Sequence, residues 1–147
     1  MSIRITHPST PANVSPRTRL RRYVPTDFFL LQEWWKSAGL AVDPDAIPVD
    51  STFLALIDGV PAAAVSVYPS TVKAFCHIDG FIANPALKGP QRREATALLI
   101  QYAEQYSRQL GFKRLVALST VTPLIQLYES WGYVPSQRNV TLMVKEL

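Results

Sequence analysis

The sequence contains very few of the residues that build disulfides and metal sites. Its 147 residues include one cysteine, Cys76, and two histidines, His7 and His77. One cysteine cannot form a disulfide within the chain, which agrees with a reducing compartment. These three residues give no zinc-binding pattern, so we expect no metal site. A disulfide-stapled secreted domain and a zinc module are therefore both excluded.

Long apolar segments are also absent. Apolar runs such as VPAAAV at 60–65 are far shorter than the ~20 residues of a membrane-spanning helix. The opening MSIRITHPSTPANVSP lacks the apolar core of a signal peptide. Hydrophobic residues make up 48% of the chain and charged residues 18%, which is typical of a folded globular protein. We therefore expect a soluble, cytoplasmic protein with no membrane partner and a core of ordinary size.

Positive charge is concentrated at the N-terminus. The net charge is +4, and the first 27 residues hold five arginines against the single acid Asp27. Residues 1–18, rich in Pro, Ser and Thr, are interpreted as an extended basic arm, and residues 19–147 as the folded domain. Through residues 1–22 the arm could dock on a macromolecular partner or on a second copy of the chain, or the segment could be a solvated tail followed by an arginine-rich edge strand. Nucleic acid is the weakest option, because no aromatic stacking pattern accompanies the arginines.

Hydrophobic periodicity and turn signals predict one mixed α/β domain. Asp58-Gly59 between two apolar runs predicts a β-hairpin within 51–70. The segment from about 75 to 120 is predicted to be a strand–helix–strand crossover between parallel neighbours. In chain order, the predicted strands and helices are a strand at 20–24, a helix at 28–39, the hairpin, a strand at 72–85, a helix at about 90–110, an apolar strand buried on both faces at 113–120, a helix at 123–132 and a strand at 139–147.

Three stretches carry a family resemblance. They are LRRYVPTDF at 20–28, the Asp-Gly hairpin followed by FIANP at 81–85 and the helix after it, and LGFKRLVALST at 110–120 with LYESWGY at 127–133. In these motifs and in their order along the chain, the sequence resembles the GNAT superfamily of acyl-CoA-dependent N-acyltransferases. The resemblance implies a GNAT-like α/β fold with a mixed sheet, and acetyl-CoA as co-substrate in an opening between two parallel central strands.

The resemblance also implies where acetyl-CoA would lie. Backbone groups of a central strand would pair with the pantetheine arm, and the next loop and helix start would hold the pyrophosphate, because a helix start offers unpaired N–H groups and partial positive charge. The residues at these positions are Phe81, Ile82 and Ala83 for pantetheine, and Lys88, Gly89, Gln91, Arg92, Arg93 and Ala95 for the pyrophosphate.

The pyrophosphate loop departs from the family pattern. Arg93 stands at the central glycine position, Pro90 replaces the usual Gln or Arg, and Glu94 adds a negative charge. One interpretation is that Arg92 or Arg93 binds the phosphates by its side chain, a role for which the planar guanidinium is well suited. The other is that acyl-CoA binding has been lost and both arginines are merely solvated.

Three residues are candidates for the chemistry. Tyr128, in LYESWG, matches the family's general-acid tyrosine, although it could equally be a core aromatic residue. His77 and Asp79 are candidates for the base or a water relay, because residues two apart on a strand share a face and an imidazole can take a proton. By the same spacing Phe81 should lie on that face too. Alternatively, His77 lies at a sheet edge and Asp79 belongs to an Asp-Gly turn or bulge.

Two functions are therefore open. The first is an N-acetyltransferase that moves an acetyl group from acetyl-CoA to the amine of a small molecule or a protein. The second is a catalytically inactive GNAT-fold binding or assembly protein that uses its basic arm.

Overall fold

A computed structural model describes residues 17–119, 121–138, 141 and 143–147. By its contacts the chain divides into two compact units, Met1–Ala117 and Leu118–Leu147, and each is described here by itself. Of the predicted arm, residues 1–16 lie outside the described residues, so the arm and its partners stay predictions. Arg17, the first described residue, lies 3.3 Å from the Asp58 carboxylate.

The N-terminal unit is built on a five-stranded mixed sheet. Its strands follow the chain order, with β1–β2, β2–β3 and β3–β4 antiparallel and β4–β5 parallel. This confirms the predicted α/β class and the parallel pairing of the last two strands. The strands are β1 (Thr18–Arg22), β2 (Thr52–Ile57), β3 (Val60–Tyr68), β4 (Cys76–Ala83) and β5 (Leu115–Ala117).

The turn between β2 and β3 confirms the hairpin prediction. Asp58 and Gly59 both have positive φ, 51° and 80°. A two-residue hairpin turn of the type that matches strand twist needs φ above zero at both positions, and Asp-Gly tolerates this well. The turn thereby sets the pairing of the two central antiparallel strands.

The described residues form three α-helices. They are α1 (Phe28–Ser37) and α2 (Gly89–Gln109) in the N-terminal unit and α3 (Thr122–Ser130) in the C-terminal unit. Gly39, just after α1, has φ of 75°, as expected for a glycine that ends a helix. The segment predicted as a loop at 41–50 contains one short 3-10 turn and runs into a second, Pro44–Ala46 and Val49–Ser51.

The central strands β2 and β3 are buried on both faces of the sheet. On the α1 face, Leu54, Ala64 and Ile82 pack in one cluster with Leu31, Trp34 and Trp35 of the helix. On the α2 face, the Phe53 ring contacts those of Tyr102 and Tyr106, with centroids 4.6 and 5.1 Å apart. The apolar spacing of each helix thus matches the strand alternation beneath it.

An ion pair holds the start of α1 against β1. Arg21 donates from both terminal nitrogens to the two carboxylate oxygens of Asp27, at 2.7 and 2.8 Å, and Asp27 also accepts from the Val24 N–H. The hydrogen bond from Arg21 lowers the pKa of the Asp27 carboxyl, burial opposes this, and the Val24 N–H adds to it. The bidentate geometry fixes the direction in which the chain enters the helix.

Several predicted boundaries need correction. The strand predicted at 72–85 starts only at Cys76. The strand predicted at 113–120 has three residues that are not buried on both faces, because α1 and α2 pack mainly on β2, β3 and β4. Of the final strand predicted at 139–147, residues 139, 140 and 142 lie outside the described residues. The remaining positions, 141 and 143–147, are not in the described sheet.

Two searches of the described residues found nothing. None of the helices there is long and apolar enough to cross a membrane. Nor do the described histidine, cysteine, aspartate and glutamate side chains include a group of three or more that could hold a metal ion.

Candidate functional site

The two parallel strands separate part-way along β4. Cys76, His77 and Ile78 pair with Leu115, Val116 and Ala117, and this pairing ends at Ile78. From Asp79 to Ala83, β4 continues beside β3 but has no β5 partner among the described residues. An unpartnered strand edge exposes backbone N–H and C=O groups that can pair with an extended molecule. The stretch predicted to bind pantetheine, 81–83, lies on this free edge.

A β-bulge begins where the free edge begins. Asp79 pairs with Ser66 and Ile82 with Ala64, so two β4 residues, Gly80 and Phe81, lie opposite one β3 residue. Gly80 has φ of 64°, and the Gly80 N–H donates a hydrogen bond of 2.7 Å to the Asp79 carboxylate. A bulge with glycine in this left-handed conformation bends and twists the strand.

The bulge corrects one expectation. Beyond it, strand alternation is shifted by one residue, so Ile82, and not Phe81, continues the face of His77 and Asp79. Ile82 packs against the α1-face cluster, in agreement with this register. Cys76 is fully buried and alternates with His77, so the two side chains lie on opposite faces of β4.

His77 and Asp79 lie in a row of polar side chains on the α1 face. The ring of Tyr68, directly across from His77 on β3, meets the imidazole edge-to-face with centroids 6.4 Å apart. Ser66 lies across from Asp79, and its hydroxyl is 2.8 Å from that of Thr52. The structure therefore brings the two predicted base candidates together and adds hydroxyl groups beside them.

Tyr68 links this row to the segment after α1. Its hydroxyl donates to the Ala46 carbonyl at 3.1 Å. Burial raises the pKa of the Tyr68 hydroxyl, a hydrogen bond with Ser66 opposes the rise, and the charge of Asp79 adds to it. Sequence reasoning missed Tyr68 and Ser66, because only the strand pairing shows which β3 residues face β4.

The start of α2 offers unsatisfied donors. Lys88 precedes the helix, and its carbonyl accepts the first helical bond, 3.1 Å from the Arg92 nitrogen. The N–H groups of Gly89 and Gln91 have no acceptor within the part of the chain that the structure describes, and Pro90 has no N–H. Free N–H groups and the helix dipole make such an end attractive to anions.

Positive side chains surround this helix start. Lys88 and Arg93 are exposed, and within the described ranges neither pairs with a carboxylate. The Arg93 guanidinium lies over Gly89, with Nη1 3.4 Å from where a β-carbon on that glycine would stand. Cations at a helix N-terminus are unfavourable unless an anion compensates them.

Glu94 lies in the first turns of α2 and has a partner on β1. Its carboxylate accepts a hydrogen bond of 2.6 Å from the Thr18 hydroxyl on β1, whereas the loop that leads into α2 leaves β4, three strands away in the described sheet. The negative charge that seemed to conflict with phosphate binding is therefore held on the β1 side of the sheet.

Two predicted phosphate residues have other contacts. Ala95 is completely buried, so its side chain is part of the core. Arg92 turns back onto the loop before the helix, where Nε donates to the Leu87 carbonyl at 2.8 Å and Nη2 to the Pro85 carbonyl at 2.9 Å.

Tyr128 lies on α3 in the C-terminal unit. It is 7% exposed, and its ring is edge-to-face with Trp131 and tilted against Tyr133, with centroids 6.2 and 5.0 Å apart. It thus has the aromatic contacts of a core residue, and its predicted role as general acid stays a prediction.

The sequence as a whole matches a known family. The profile of the Acetyltransferase (GNAT) family covers residues 14–133. The chain belongs to the GNAT acetyltransferase family. The resemblance drawn from the motifs is thereby confirmed, acyl transfer is the chemistry of the family, and acetyl-CoA is the co-substrate. A search of curated proteins found no match.

Solved GNAT structures share the fold at low sequence identity. A Trypanosoma brucei acetyltransferase is 16% identical, with a TM-score of 0.61 over 86% of this chain and 99% of its own. An aminoglycoside N-acetyltransferase in complex with CoA is 16% identical, with a TM-score of 0.63 over 90% and 99%. The N-acetylglutamate synthase of Neisseria gonorrhoeae, complexed with CoA and L-arginine, is 16% identical, with a TM-score of 0.61 over 76% and 26%. The alternative of an inactive binding protein finds no support in these comparisons.

Proposed function

We propose that this GNAT protein is an N-acetyltransferase that moves the acetyl group of acetyl-CoA to an amine. The proposal rests on the geometry at the start of α2, where free N–H groups lie beside Lys88 and Arg93. This helix start follows the free edge of β4 in the chain. The pantetheine arm would pair with the backbone at 81–83. The pyrophosphate would lie on the N–H groups of Gly89 and Gln91.

Charge balance supports this assignment of the phosphate site. Lys88 and Arg93 form no ion pair with a carboxylate of the described residues, so the helix start carries two positive side chains. These positive side chains are repelled by the positive end of the helix dipole, and a bound pyrophosphate would offset that repulsion. It would also accept charge-assisted hydrogen bonds. Arg93 would then supply by its side chain the contact that a glycine-rich loop supplies by its backbone.

The polar row on the α1 face supports the assignment of the acceptor side. In the reaction, the acceptor nitrogen bonds to the thioester carbonyl carbon, the C–S bond breaks, and the nitrogen loses a proton. His77 would take that proton directly or through water, and Asp79 holds the bulge through the Gly80 N–H. Tyr128 would return a proton to the thiolate. Two solved neighbours are named for aminoglycoside acetylation and N-acetylglutamate synthesis, which supports an amine as acceptor.

The phosphate site is tested by calorimetry with acetyl-CoA. The wild type is expected to bind in the micromolar range, and Arg93→Ala to bind about tenfold more weakly, because a charge-assisted hydrogen bond is worth at least ~1.5 kcal/mol. Arg108→Ala is the matched control: the same charge is removed from the same helix, but at its last turn. Equal affinity of Arg93→Ala and wild type would refute the phosphate role of Arg93.

The transfer itself is tested with a panel of small amines and peptide amines. Release of the CoA thiol in proportion to acetylated product would support the proposal and name the acceptor class. Absence of acetyl-CoA binding by the wild type would overturn it.

A further inference from the structure

The Arg92 side chain donates its hydrogen bonds to the loop before α2. Its Nε and Nη2 donate to the carbonyls of Leu87 and Pro85 at 2.8 and 2.9 Å. Its own N–H makes the first helical bond, to the Lys88 carbonyl. One residue in the first turn therefore contacts three carbonyls within four positions of the loop.

The same loop is held from the β3 side by Asn84. The Asn84 amide nitrogen donates to the Pro61 carbonyl at 3.1 Å, and its amide oxygen accepts from the Ala86 N–H at 3.0 Å. The Asn84 carbonyl accepts from the Leu87 N–H. The segment 84–88 is thus anchored at one end to the sheet and at the other to the helix through Arg92.

This arrangement settles the direction of the loop carbonyls. Carbonyl oxygens carry partial negative charge, and an oxygen facing the helix start would repel a phosphate. Bonded to Arg92, the oxygens of Pro85 and Leu87 point to a guanidinium. The N–H groups of Gly89 and Gln91 then remain as the unsatisfied groups at that end.

We infer that Arg92 is a positioning residue that holds the loop 84–88 ready for the pyrophosphate of acetyl-CoA, whereas the neighbouring Arg93 contacts the phosphate. The inference rests on the proposed function. The planar fork of arginine suits Arg92, because it reaches two carbonyls at once, which a single ammonium does less well. A loop ordered before binding costs less affinity than one ordered by the ligand.

The test combines calorimetry with amide hydrogen exchange. We expect Arg92→Ala to weaken acetyl-CoA binding about tenfold, the cost of ordering a few side chains on binding. In the protein without ligand, exchange should become faster in 84–91 and stay unchanged in the last turns of α2. Arg92→Lys, which keeps the charge and one donor, should fall between Arg92→Ala and wild type. Arg93→Ala should weaken binding with no change in exchange, and Arg108→Ala should change neither.

Each outcome decides the inference. Wild-type affinity in Arg92→Ala refutes it, and so does faster exchange along all of α2, which would mean that Arg92 stabilises the whole helix. Should Arg92→Ala fail to fold, Arg92→Lys decides: weaker binding with faster exchange confined to the loop supports positioning, and unchanged binding refutes it. Failure of the wild type to bind acetyl-CoA refutes the proposed function itself, whereas equal binding by wild type and Arg92→Ala refutes only the role of Arg92.

Discussion

Replacing Gly80 by alanine would test whether the bulge in β4 serves the site. Gly80 has φ of 64°, a left-handed conformation that alanine adopts only at a cost of ~1–2 kcal/mol. Space is not the difficulty, because an added β-carbon would lie 3.6 Å from the Ser66 hydroxyl oxygen, an ordinary van der Waals contact. The substitution therefore strains the backbone and leaves the packing almost unchanged.

The expected magnitude follows from these terms. Alanine also restricts the unfolded chain, which stabilises the folded state by ~0.4–1 kcal/mol and offsets part of the strain. We therefore expect the free energy of unfolding to fall by about 1 kcal/mol, or the Tm by roughly 2–4 °C for a chain of this size. Alternatively the free protein relieves the strain by losing the bulge. Binding of acetyl-CoA along 81–83 must then restore it, and 1 kcal/mol corresponds to an affinity about fivefold weaker.

Gly59→Ala is the matched control. Gly59 also has positive φ, 80°, with no atom within 4 Å of an added β-carbon, and it lies in the β2–β3 turn. In Gly59→Ala we expect the loss of stability with no change in acetyl-CoA affinity. In Gly80→Ala we expect a similar loss with unchanged affinity if the strained bulge is kept, and a smaller loss with about fivefold weaker binding if the bulge is lost. A smaller loss of stability in Gly80→Ala together with wild-type affinity would show that the bulge is not needed for binding.

Two further predictions concern the start of α1 and the polar row. Asp27→Ala should lower the free energy of unfolding by about 1–2 kcal/mol at pH 7, since the variant loses a helix-entry bond and a partly exposed ion pair with Arg21. Because the pKa of Asp27 is lowered in the folded state, this contribution is complete above its ordinary value of about 3.9 and is lost as the pH falls through the folded pKa. Urea unfolding at pH 7 and pH 3 should therefore show a smaller difference between wild type and variant at pH 3, and a constant difference would contradict the assignment. His77→Ala should lower kcat at least about 100-fold with an acceptor found in the amine panel, and leave acetyl-CoA affinity unchanged, if His77 is the base. A kcat within twofold of wild type would exclude that role.

Local patterns of the sequence determined much of the architecture. Asp58-Gly59 specified the hairpin turn, because few residue pairs tolerate two positive φ angles in succession. Hydrophobic periodicity located the helix at about 90–110, and the spacing of two residues in β4 placed His77 and Asp79 on one face. These signals act between residues that are close in the chain, and so they can be detected without the fold. The motif resemblance, which the family match confirms, predicted acyl transfer as the chemistry and acetyl-CoA as the co-substrate.

Only the tertiary structure decided the partners of the site residues. The bulge that separates Phe81 from the face of His77 depends on pairing with β3, and nothing local in the Asp79-Gly80 pair distinguishes a bulge from a turn. Glu94 accepts a hydrogen bond from Thr18, 76 positions away, and no local pattern identifies that partner. Arg92 and Arg93 are adjacent in sequence and identical in chemistry, yet one holds the loop and the other lies over Gly89. The direction of a long side chain depends on the acceptors that the fold brings near it, and those acceptors belong to other segments of the chain.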